Sequence, residues 1–433
     1  MDTYEFSYPQ TTLPPHTPMR IADVICVVGR SGYFNKDLVA ARAADTKENG
    51  FGFDGRPVLP GFERIVQPGT VVSVMLRLED GLIAFGDCVD VILAGIAGRD
   101  QRFRAEHVLP FLQTEMRARL VGREVDRFRP LAEELDCVTH DGMLLHTAVR
   151  YGLTQAVLHA ASLANRCTMA EVVAREYECE PASAPLPILA SCQKGDAIQL
   201  DRMIMKRVEL LPHSSFTVVE RDLGSRGEKL LDYARGLVRR IGEIGDPDYR
   251  PTIHLDVYGT LGELFHDDVD AVAGYLGELE RVVRPHELMI ETPMIAVSRA
   301  AQIESFQALR SALRSRGCAV QVIADEWCNT LDDVKEFADA GATDIAQVKA
   351  PDLGGLNNTI EALLYCHAKG VGAYLGGSAN ETDQSTRVTT HVGLACRPAF
   401  MLSKPGFGGD EALMMQTNEM ARTLALMQGA SPS

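Results

Sequence analysis

The sequence predicts an α/β fold: a (β/α)8 barrel of the TIM type, preceded by an N-terminal α+β capping domain. Eight short apolar runs alternate with helical stretches over about 240 residues, as such a barrel requires. In front of them, strand-like patterns come first and helical patterns follow, which is typical of an α+β domain. The Pro-rich segment at 180–187 is the best boundary between the two parts. We therefore expect a capping domain at 1–180 and a barrel at 181–433 in this chain of 433 residues.

Alternating apolar residues predict β-strands in the first part of the capping domain. They occur at 21–29 and at 71–89, and the Glu-Asp-Gly turn inside the second stretch is a hairpin signal. Apolar residues at helical spacing then predict helices at 104–120 and at 143–164.

The eight apolar runs of the second part read as buried strands that end in loops. They are ILASC, VELLPH, TIHLDVY, LMIETP, VQVIADE, DIAQVKA, VGAYLGG and AFMLSKPG. A doubly wound open sheet is the runner-up for this pattern. No G-x-G-x-x-G follows the first strand and no G-x-x-x-x-G-K-[ST] occurs, so a dinucleotide or P-loop site is disfavoured.

Composition and charge limit the partners of the chain. The net charge of −16 disfavours nonspecific binding to nucleic acid or to anionic membranes. The start, MDTYEFSYPQ, lacks the apolar core of a signal peptide, and no stretch of about 18 uncharged apolar residues predicts a membrane span. The ten cysteines form no Cys-x-x-Cys pair, which favours reduced thiols. We expect a cytoplasmic protein that binds neither nucleic acid nor membranes.

Three acids and a lysine follow apolar runs in the second half of the chain. They are Asp256 in TIHLDVYG, Glu291 in ELMIETP, Asp325 in VQVIADEW and Lys349 in DIAQVKAP, at intervals of 35, 34 and 24 residues. Each interval holds a loop, a helix and the next strand, and parallel strands joined in this way place their C-terminal ends side by side. The four side chains should therefore converge at the mouth of the barrel.

Three such acids indicate a divalent-metal site with a lysine beside it. One acid after a strand is often only a helix N-cap, but three partly buried carboxylates on successive strands would repel strongly without a cation. Ligation by oxygen favours Mg²⁺ or Mn²⁺ over Zn²⁺. Lys349 is either a structural ion-pair partner of one acid or a base whose pKa the metal lowers.

His213 ends VELLPH, on the strand before the first of these acids. A lone histidine is usually a packing or surface residue, but at a barrel mouth it is placed for acid–base chemistry. With Lys349 across the barrel, two bases could flank one substrate carbon. A metal that binds a substrate carboxylate would stabilise the enolate formed by loss of the α proton. Elimination of water or an amine, racemisation or cycloisomerisation could follow.

The motifs resemble those of the methylaspartate ammonia-lyase family, within the enolase superfamily. The matching segments are LRLEDGLIAFGDC, GRD at 98–100, LPH, HLDVYGTLGE, IETP, ADEWCNTLDD, QVKAPDLGGLNN, AYLGGSANET, HVGLACRP and KPGFGGDEA. They span nearly the whole chain. The resemblance implies a capped (β/α)8-type barrel, usually a homodimer, that takes part in amino-acid degradation and glutamate catabolism. It also implies deamination of threo-3-methylaspartate, a small amino-dicarboxylate, to mesaconate and ammonia, with Mg²⁺ and with K⁺ as a supporting ion.

The resemblance implies a role for each matching residue. Asp256, Glu291 and Asp325 match the metal ligands. Lys349 matches the base that removes the C3 proton from the (2S,3S) substrate. His213 matches the histidine on the opposite face, which contacts a carboxylate and serves the other diastereomer.

The resemblance also implies a set of residues around the substrate. Gln193 and Gln347 match side chains that hold the substrate carboxylates, and Tyr374 and Leu402 match positions that line the pocket.

The chain departs from the family pattern at four positions of this substrate shell. Ser378 and Ala379 stand where a Thr-Cys pair usually follows the two glycines of the AYxGG loop. Ile92 stands where the capping domain usually contributes a glutamine, and Ser191 replaces an aromatic residue. Ile92 removes a polar contact that a site for a small charged amino acid would be expected to need. The metal ligands and both bases are intact.

Three functions compete on this basis. The leading hypothesis is a carbon–nitrogen lyase that acts on 3-methylaspartate or a close amino-dicarboxylate. The alternative is a dehydratase or isomerase that shares the proton abstraction but acts on a different carboxylate. A catalytically silent relative is the weakest of the three, because the metal-binding acids and the lysine are all present.

Overall fold

A computed structural model describes residues 18–43, 45–404, 406 and 408–429, and the statements below concern these residues. The first 17 residues of the expected capping domain and the last four of the expected barrel lie outside them. In chain order, the elements of the first part are β1 (Ile21–Lys36), α1 (Leu38–Ala41), β2 (Lys47–Asn49), β3 (Gly52–Asp54), β4 (Val66–Leu78), β5 (Ile83–Cys88), α2 (Ala105–Phe111), a π-helical turn (Leu112–Met116), α3 (Arg117–Leu120), α4 (Phe128–Asp136), β6 (Thr139–His140), β7 (Met143–Leu144), α5 (Thr147–Asn165) and α6 (Met169–Glu176).

The first part is built on a three-stranded antiparallel sheet in the order β1–β4–β5. The hairpin between β4 and β5 is confirmed, and its turn contains Gly81 at a φ of 89°, a conformation that favours glycine. Strand β1 is longer than predicted, because after a register shift Phe34–Lys36 still pair with β4.

The predicted helix at 143–164 begins later than its apolar pattern indicates. Met143 and Leu144 pair with β6 instead, because Gly142 adopts a φ of 76° and turns the chain. Helix α5 starts after His146, whose Nδ1 accepts a hydrogen bond from the backbone N–H of Ala148 at 3.0 Å.

The second part alternates strands and helices. Its elements are β8 (Ile188–Leu189), α7 (Ala197–Met205), β9 (Leu210–Ser215), a π-helical turn (Val219–Leu223), α8 (Glu228–Ile244), β10 (Thr252–Asp256), α9 (Thr260–Leu264), α10 (Val269–Val283), β11 (Leu288–Glu291), α11 (Arg299–Ser315), β12 (Gln321–Ala324), α12 (Leu331–Asp339), β13 (Ile345–Val348), α13 (Ala350–Leu353), α14 (Leu356–Lys369), β14 (Gly372–Leu375), α15 (Asp383–Cys396), β15 (Phe400–Leu402) and α16 (Gly409–Gly429).

Strands β8 to β15 form a closed barrel, in which every strand pairs in parallel with the next. The last strand returns to the first, since Met401 pairs with Ile188 and Leu402 with Leu189. The predicted (β/α)8 barrel is therefore confirmed, and the open doubly wound sheet is excluded.

Alternation along the barrel strands decides which side chains face inward. A buried apolar cluster fills the barrel interior; its members are Leu189, Leu210, Met289, Ile323, Ile345, Tyr374, Phe400 and Leu402. Their neighbours in sequence, such as Val322 and Ala346, pack in the outer core under the helices. Because side chains on a strand alternate between faces, Glu291 and Asp325 share the inward face with Met289 and Ile323.

Strand β10 places a histidine at the level where the other strands place apolar residues. His254 is fully buried, and its ring lies 6.0 Å from the ring of Tyr374 and 6.4 Å from that of Phe400. Two residues later, Asp256 shares the same face.

The capping part, which comprises the elements from β1 to α6, contacts the barrel at the start of α14. Asp136 accepts hydrogen bonds from the backbone N–H of Gly355 at 2.8 Å and from Arg150 at 2.6 Å. Thr154 of α5 accepts a hydrogen bond from the backbone N–H of Leu356 at 2.9 Å.

Residues 177–187, all of which the structure describes, connect α6 to β8 without forming a helix or a strand. Among the described residues, none of the helices has the length and apolar character needed to cross a membrane.

His159 of α5 should make the stability of the fold depend on pH. Its Nδ1 accepts the backbone N–H of Phe85 at 3.0 Å, and burial, with the charges of His391 and Arg387, lowers its pKa from 6.5 to about 4. Between these two values the unfolded chain binds a proton that the folded chain does not. The free energy of unfolding should therefore fall as pH drops from 6.5 towards 4, by no more than about 3 kcal/mol from this residue.

Urea denaturation at several pH values checks this expectation. His159→Gln keeps an acceptor for Phe85 but cannot be protonated, so its stability should depend less on pH in this window. His367→Gln, at an exposed position of α14, is the control and should behave like the unmodified chain. Identical pH dependence of His159→Gln and the unmodified chain would contradict the prediction.

Candidate active site

The structure brings the three predicted acids and the lysine together at the mouth of the barrel. Asp256 and Glu291 end β10 and β11 and are register partners. Asp325 follows β12, and Lys349 follows β13. All three carboxylates are buried. The arrangement follows from the parallel barrel, since neighbouring strands end on the same side.

The backbone is strained inside β9 and just beyond the ends of β10, β11 and β12. His213, Tyr258, Thr292 and Trp327 have φ values of 48°, 48°, 43° and 64°, in the left-handed region that residues other than glycine rarely adopt. Such conformations persist only where the surrounding structure holds them, and they cluster at functional sites.

Glu291 lies at the centre of a buried hydrogen-bond network. Gln347 donates to its Oε1 at 2.9 Å and Tyr374 to its Oε2 at 2.7 Å. Burial, supported by the charge of Asp325, raises the pKa of Glu291 to about 7. Burial and the neighbouring acids raise the pKa of Asp256 well above its usual value. The positive charges of the protein are therefore too few to offset the negative charges of these two carboxylates.

Asp325 is the acid that does have cationic partners. Lys349 Nζ lies 2.8 Å from its Oδ1, and Arg99 Nη2 donates to the same oxygen at 3.1 Å. Burial alone would raise the pKa of Asp325, but these two charges outweigh it and lower the pKa. Burial and Arg99 lower the pKa of Lys349, but Asp325, Asp352 and Glu326 outweigh them and raise it.

The donor set fits a divalent metal ion. Asp256, Glu291 and Asp325 offer only carboxylate oxygens, which hard cations such as Mg²⁺ and Mn²⁺ prefer. Burial, together with repulsion from the neighbouring acids, raises the pKa of Asp256 and Glu291, and a divalent cation would offset both effects.

His213 faces the lysine from the opposite side of the barrel. It lies in β9, which is four strands away from β13 in either direction around the eight-stranded ring. Its Nε2 lies 3.8 Å from Glu291 Oε2, and burial lowers its pKa to about 4, so the ring is neutral near pH 7. His213 and Lys349 therefore border the same cavity from opposite sides of the barrel.

These residues line a cavity of about 370 Å³. Most of the residues expected around the substrate line it as well; they are Ile92, Ser191, Gln193, Gln347, Ser378, Ala379 and Leu402. Tyr374 is the exception: it is fully buried beneath the cavity wall and donates to Glu291. Its ring stacks on Phe400 in the interior of the barrel, with centroids 4.8 Å apart, and its expected role around the substrate stays a prediction.

Family models match almost all of the described chain. The model of the methylaspartate ammonia-lyase N-terminus matches residues 19–178, and that of the methylaspartate ammonia-lyase C-terminus matches residues 180–429. The chain belongs to the methylaspartate ammonia-lyase family. It is a lyase, as expected from its motifs.

Several members of the methylaspartate ammonia-lyase family are similar over their full length. Methylaspartate ammonia-lyase 1 of Carboxydothermus hydrogenoformans is 48% identical over 411 residues, which cover 95% of this chain and 97% of the relative. The magnesium complex of β-methylaspartase from Clostridium tetanomorphum is 43% identical and superposes with a TM-score of 0.89, over 95% of this chain and 99% of the other.

The Citrobacter amalonaticus enzyme containing (2S,3S)-3-methylaspartic acid is 44% identical, with a TM-score of 0.91, over 94% of this chain and 100% of the other. These similarities favour ammonia elimination over the dehydratase or isomerase alternative.

Arg99 is a charged residue of the site that the sequence did not single out. It comes from the capping part, is buried, and binds one acid after β12 and one in α13: Nη2 donates to Asp325 at 3.1 Å and Nε to Asp352 at 2.8 Å. Its Nη1 lies 3.9 Å from Glu326 Oε1. The GRD segment was part of the family resemblance, but nothing in its local pattern indicates a barrel partner.

Lys404 and Glu381 form a second buried charge pair that sequence reasoning missed. Lys404 Nζ lies 3.8 Å from Glu381 Oε1 and 3.4 Å from the carbonyl oxygen of Gly376, below the loop that carries Ser378. Tyr151 of the capping part also donates to Glu381, at 3.2 Å. Lys404 directly follows the AFMLS strand, so the rule that identified Lys349 would have identified it too.

Removal of Arg99 should strongly destabilise the metal-free protein. Arg99→Met would leave Asp325, Asp352 and Glu326 buried around an apolar side chain, and loss of one partner from a buried ion pair costs about 3–5 kcal/mol. Urea denaturation of the metal-free protein measures this change.

Arg104→Met is the control, because Arg104 is partly exposed, with 39% of its side chain accessible, and its ion pair with Glu106 spans 3.6 Å. It should cost less than about 0.5 kcal/mol. Equal effects of the two substitutions would show that the Arg99 network does not hold the site together.

Proposed function

We propose that this chain eliminates ammonia from threo-3-methylaspartate, or from a close amino-dicarboxylate, to give mesaconate. The observation that carries the proposal is the position of Lys349, whose amine borders the cavity beside three buried acids and opposite His213. Membership of the methylaspartate ammonia-lyase family supports the choice of an amine as the leaving group.

Asp256, Glu291 and Asp325 are the proposed ligands of Mg²⁺, with Mn²⁺ as a substitute. Their all-oxygen donor set and the magnesium complex of the Clostridium tetanomorphum relative support this assignment. When bound, the ion supplies positive charge that offsets these acids and the charge that a substrate carboxylate gains when C3 loses its proton. We propose K⁺ as a supporting ion on family resemblance.

Lys349 is the proposed base for the (2S,3S) substrate. The neutral amine takes the proton from C3, and the electron pair of the C3–H bond becomes the C2=C3 double bond. The C2–N bond breaks, and its electron pair leaves with nitrogen as ammonia. The lysine then returns its proton to solvent. Burial and the charge of Arg99 favour the neutral amine, whereas the surrounding carboxylates oppose it.

His213 is the proposed partner on the other face of C3. Its neutral ring can donate to a substrate carboxylate, or accept a proton from the opposite diastereomer. The position of β9 across the barrel from β13 supports this role. The ring reaches the cavity directly, since His213 is among the lining residues.

The remaining cavity residues are proposed to select the substrate. Gln193, Gln347 and Ser378 offer polar groups for the two carboxylates, as their places in the lining permit. Ile92, Ala379 and Leu402 offer apolar walls. An apolar wall suits the 3-methyl group, and the lack of a polar side chain at Ile92 favours a substrate that is bulkier or less polar on that side.

We also propose the division into a capping domain at 1–180 and a barrel at 181–433, a homodimer, a cytoplasmic location and a role in glutamate catabolism. The change from one family model to the other between residues 178 and 180 supports the division. The homodimer and the role in glutamate catabolism rest on family resemblance, and the cytoplasmic location rests on the scattered cysteines, which favour reduced thiols.

Ultraviolet measurement of mesaconate formation tests the proposed function. Folded protein loaded with Mg²⁺ and K⁺ should produce a conjugated, absorbing product from threo-3-methylaspartate, and chelation of the divalent ion should stop it. No increase in absorbance, from protein shown by circular dichroism to be folded and by calorimetry to bind Mg²⁺, would reject the assignment.

Lys349→Met should abolish exchange of the C3 proton with solvent and lower the rate of mesaconate formation by at least about 100-fold, because it removes the base. Asp325 keeps Arg99 as a partner, so Mg²⁺ affinity measured by calorimetry should change little. Exposed Lys369→Met is the control. Proton exchange that persists at the unmodified rate in Lys349→Met would exclude this lysine as the base.

A further inference from the structure

Two imidazole rings and one carboxylate converge at the bottom of the active-site cavity. One ligand atom from each of His213, His254 and Glu291 lies within 4.8 Å of the other two. His254 Nε2 is 3.0 Å and His213 Nε2 is 3.8 Å from the same oxygen, Glu291 Oε2. The two rings are neighbours, with centroids 5.1 Å apart.

His254 has no role in the proposed elimination, although burial of its polar ring costs free energy. It is fully buried, and neither of its ring nitrogens has a hydrogen-bond partner of suitable geometry among the described residues. The same holds for Nε2 of His213. An unpaired polar group in a protein interior costs free energy, so these nitrogens are well placed to gain from a ligand.

The chemistry of this group differs from that of the three acids beside it. Mg²⁺ prefers oxygen ligands, whereas imidazole nitrogen favours Zn²⁺, Co²⁺ and Ni²⁺. Two histidines and one glutamate form a known ligand set for four-coordinate Zn²⁺, with a water molecule or substrate in the fourth position. Bonds of about 2.0–2.1 Å place the ligand atoms of a tetrahedral ion roughly 3.4 Å apart. His254 Nε2 is already closer than this to Glu291 Oε2, and the widest of the three separations, at most 4.8 Å, has to close by no more than about 1.4 Å.

An ion can reach the group from the cavity. His213 and Glu291 both line the cavity, and His254 lies directly behind them. The open fourth position would therefore face the substrate space.

We propose that His213, His254 and Glu291 form a nitrogen-rich metal site that binds Zn²⁺ or a similar late first-row divalent ion. Glu291 is shared with the oxygen site of Asp256 and Asp325, so occupation of one site opposes occupation of the other. Binding would also take His213 away from the substrate. Inhibition by Zn²⁺ follows if the proposed function holds, but metal binding at this group does not depend on that function.

Co²⁺ is the probe for the site, because its spectrum reports coordination without any assay of activity. Added to the metal-free protein, Co²⁺ should give the intense visible bands of four-coordinate nitrogen ligation, and excess Mg²⁺ should reduce them. His254→Asn should lower the Co²⁺ affinity of this species by at least about 10-fold and leave Mg²⁺ affinity within about 3-fold. His367→Asn, at an exposed position, should change neither.

Anomalous diffraction from Zn²⁺-soaked crystals of the unmodified chain gives an independent answer, which matters if His254→Asn does not fold. A zinc peak within bonding distance of His213 Nε2 and His254 Nε2 would support the site. A peak only among Asp256, Glu291 and Asp325, or only the weak bands of six-coordinate Co²⁺, would overturn the proposal. Both readouts stand whether or not the protein forms mesaconate.

Discussion

The ion pairs of Asp325 hold the active site in one arrangement and tie the two parts of the chain together. Lys349 approaches this carboxylate from the next barrel strand, and Arg99 approaches it from the capping part. All three groups are buried or nearly so, so their attraction is screened much less than that of a surface pair. Because Arg99 also binds Asp352, displacement of the capping part would leave Asp352 without this cation and Asp325 with Lys349 alone. Formation of the cavity and docking of the capping part are therefore coupled.

The barrel and the positions of the three acids and Lys349 could be predicted from the sequence, because both follow from the regular alternation of strands with helices and of side chains along each strand. Side chains on a strand alternate between two faces, and parallel strands end on one side of the barrel. An inward apolar residue such as Ile323 therefore implies an inward Asp325 two positions later, at the mouth. Lys349 follows from the same rule on the next strand.

Contacts between segments that are far apart in the sequence could not be predicted from these local patterns. Nothing near Arg99 in the sequence indicates that it meets Asp325, since this pairing depends on how the capping part docks. Family resemblance placed Tyr374 at the cavity wall, but depth along the strand decides whether an inward residue lines the cavity or lies below it. Its stack on Phe400 and its bond to Glu291 place it below.

The depth of each inward residue also explains why Glu291 can take part in two kinds of metal chemistry. At its level and above, the mouth offers the carboxylates of Asp256 and Asp325. Below, β9 and β10 offer imidazoles: among the described residues, Nε2 of His213 and both ring nitrogens of His254 make no hydrogen bond of suitable geometry. Tyr374 and Gln347 each donate to one oxygen of Glu291, which limits the directions from which a cation can approach. A hard cation is drawn towards the acids, and a softer one gains more from nitrogen. The identity of the bound ion thus decides whether His213 remains available to a substrate.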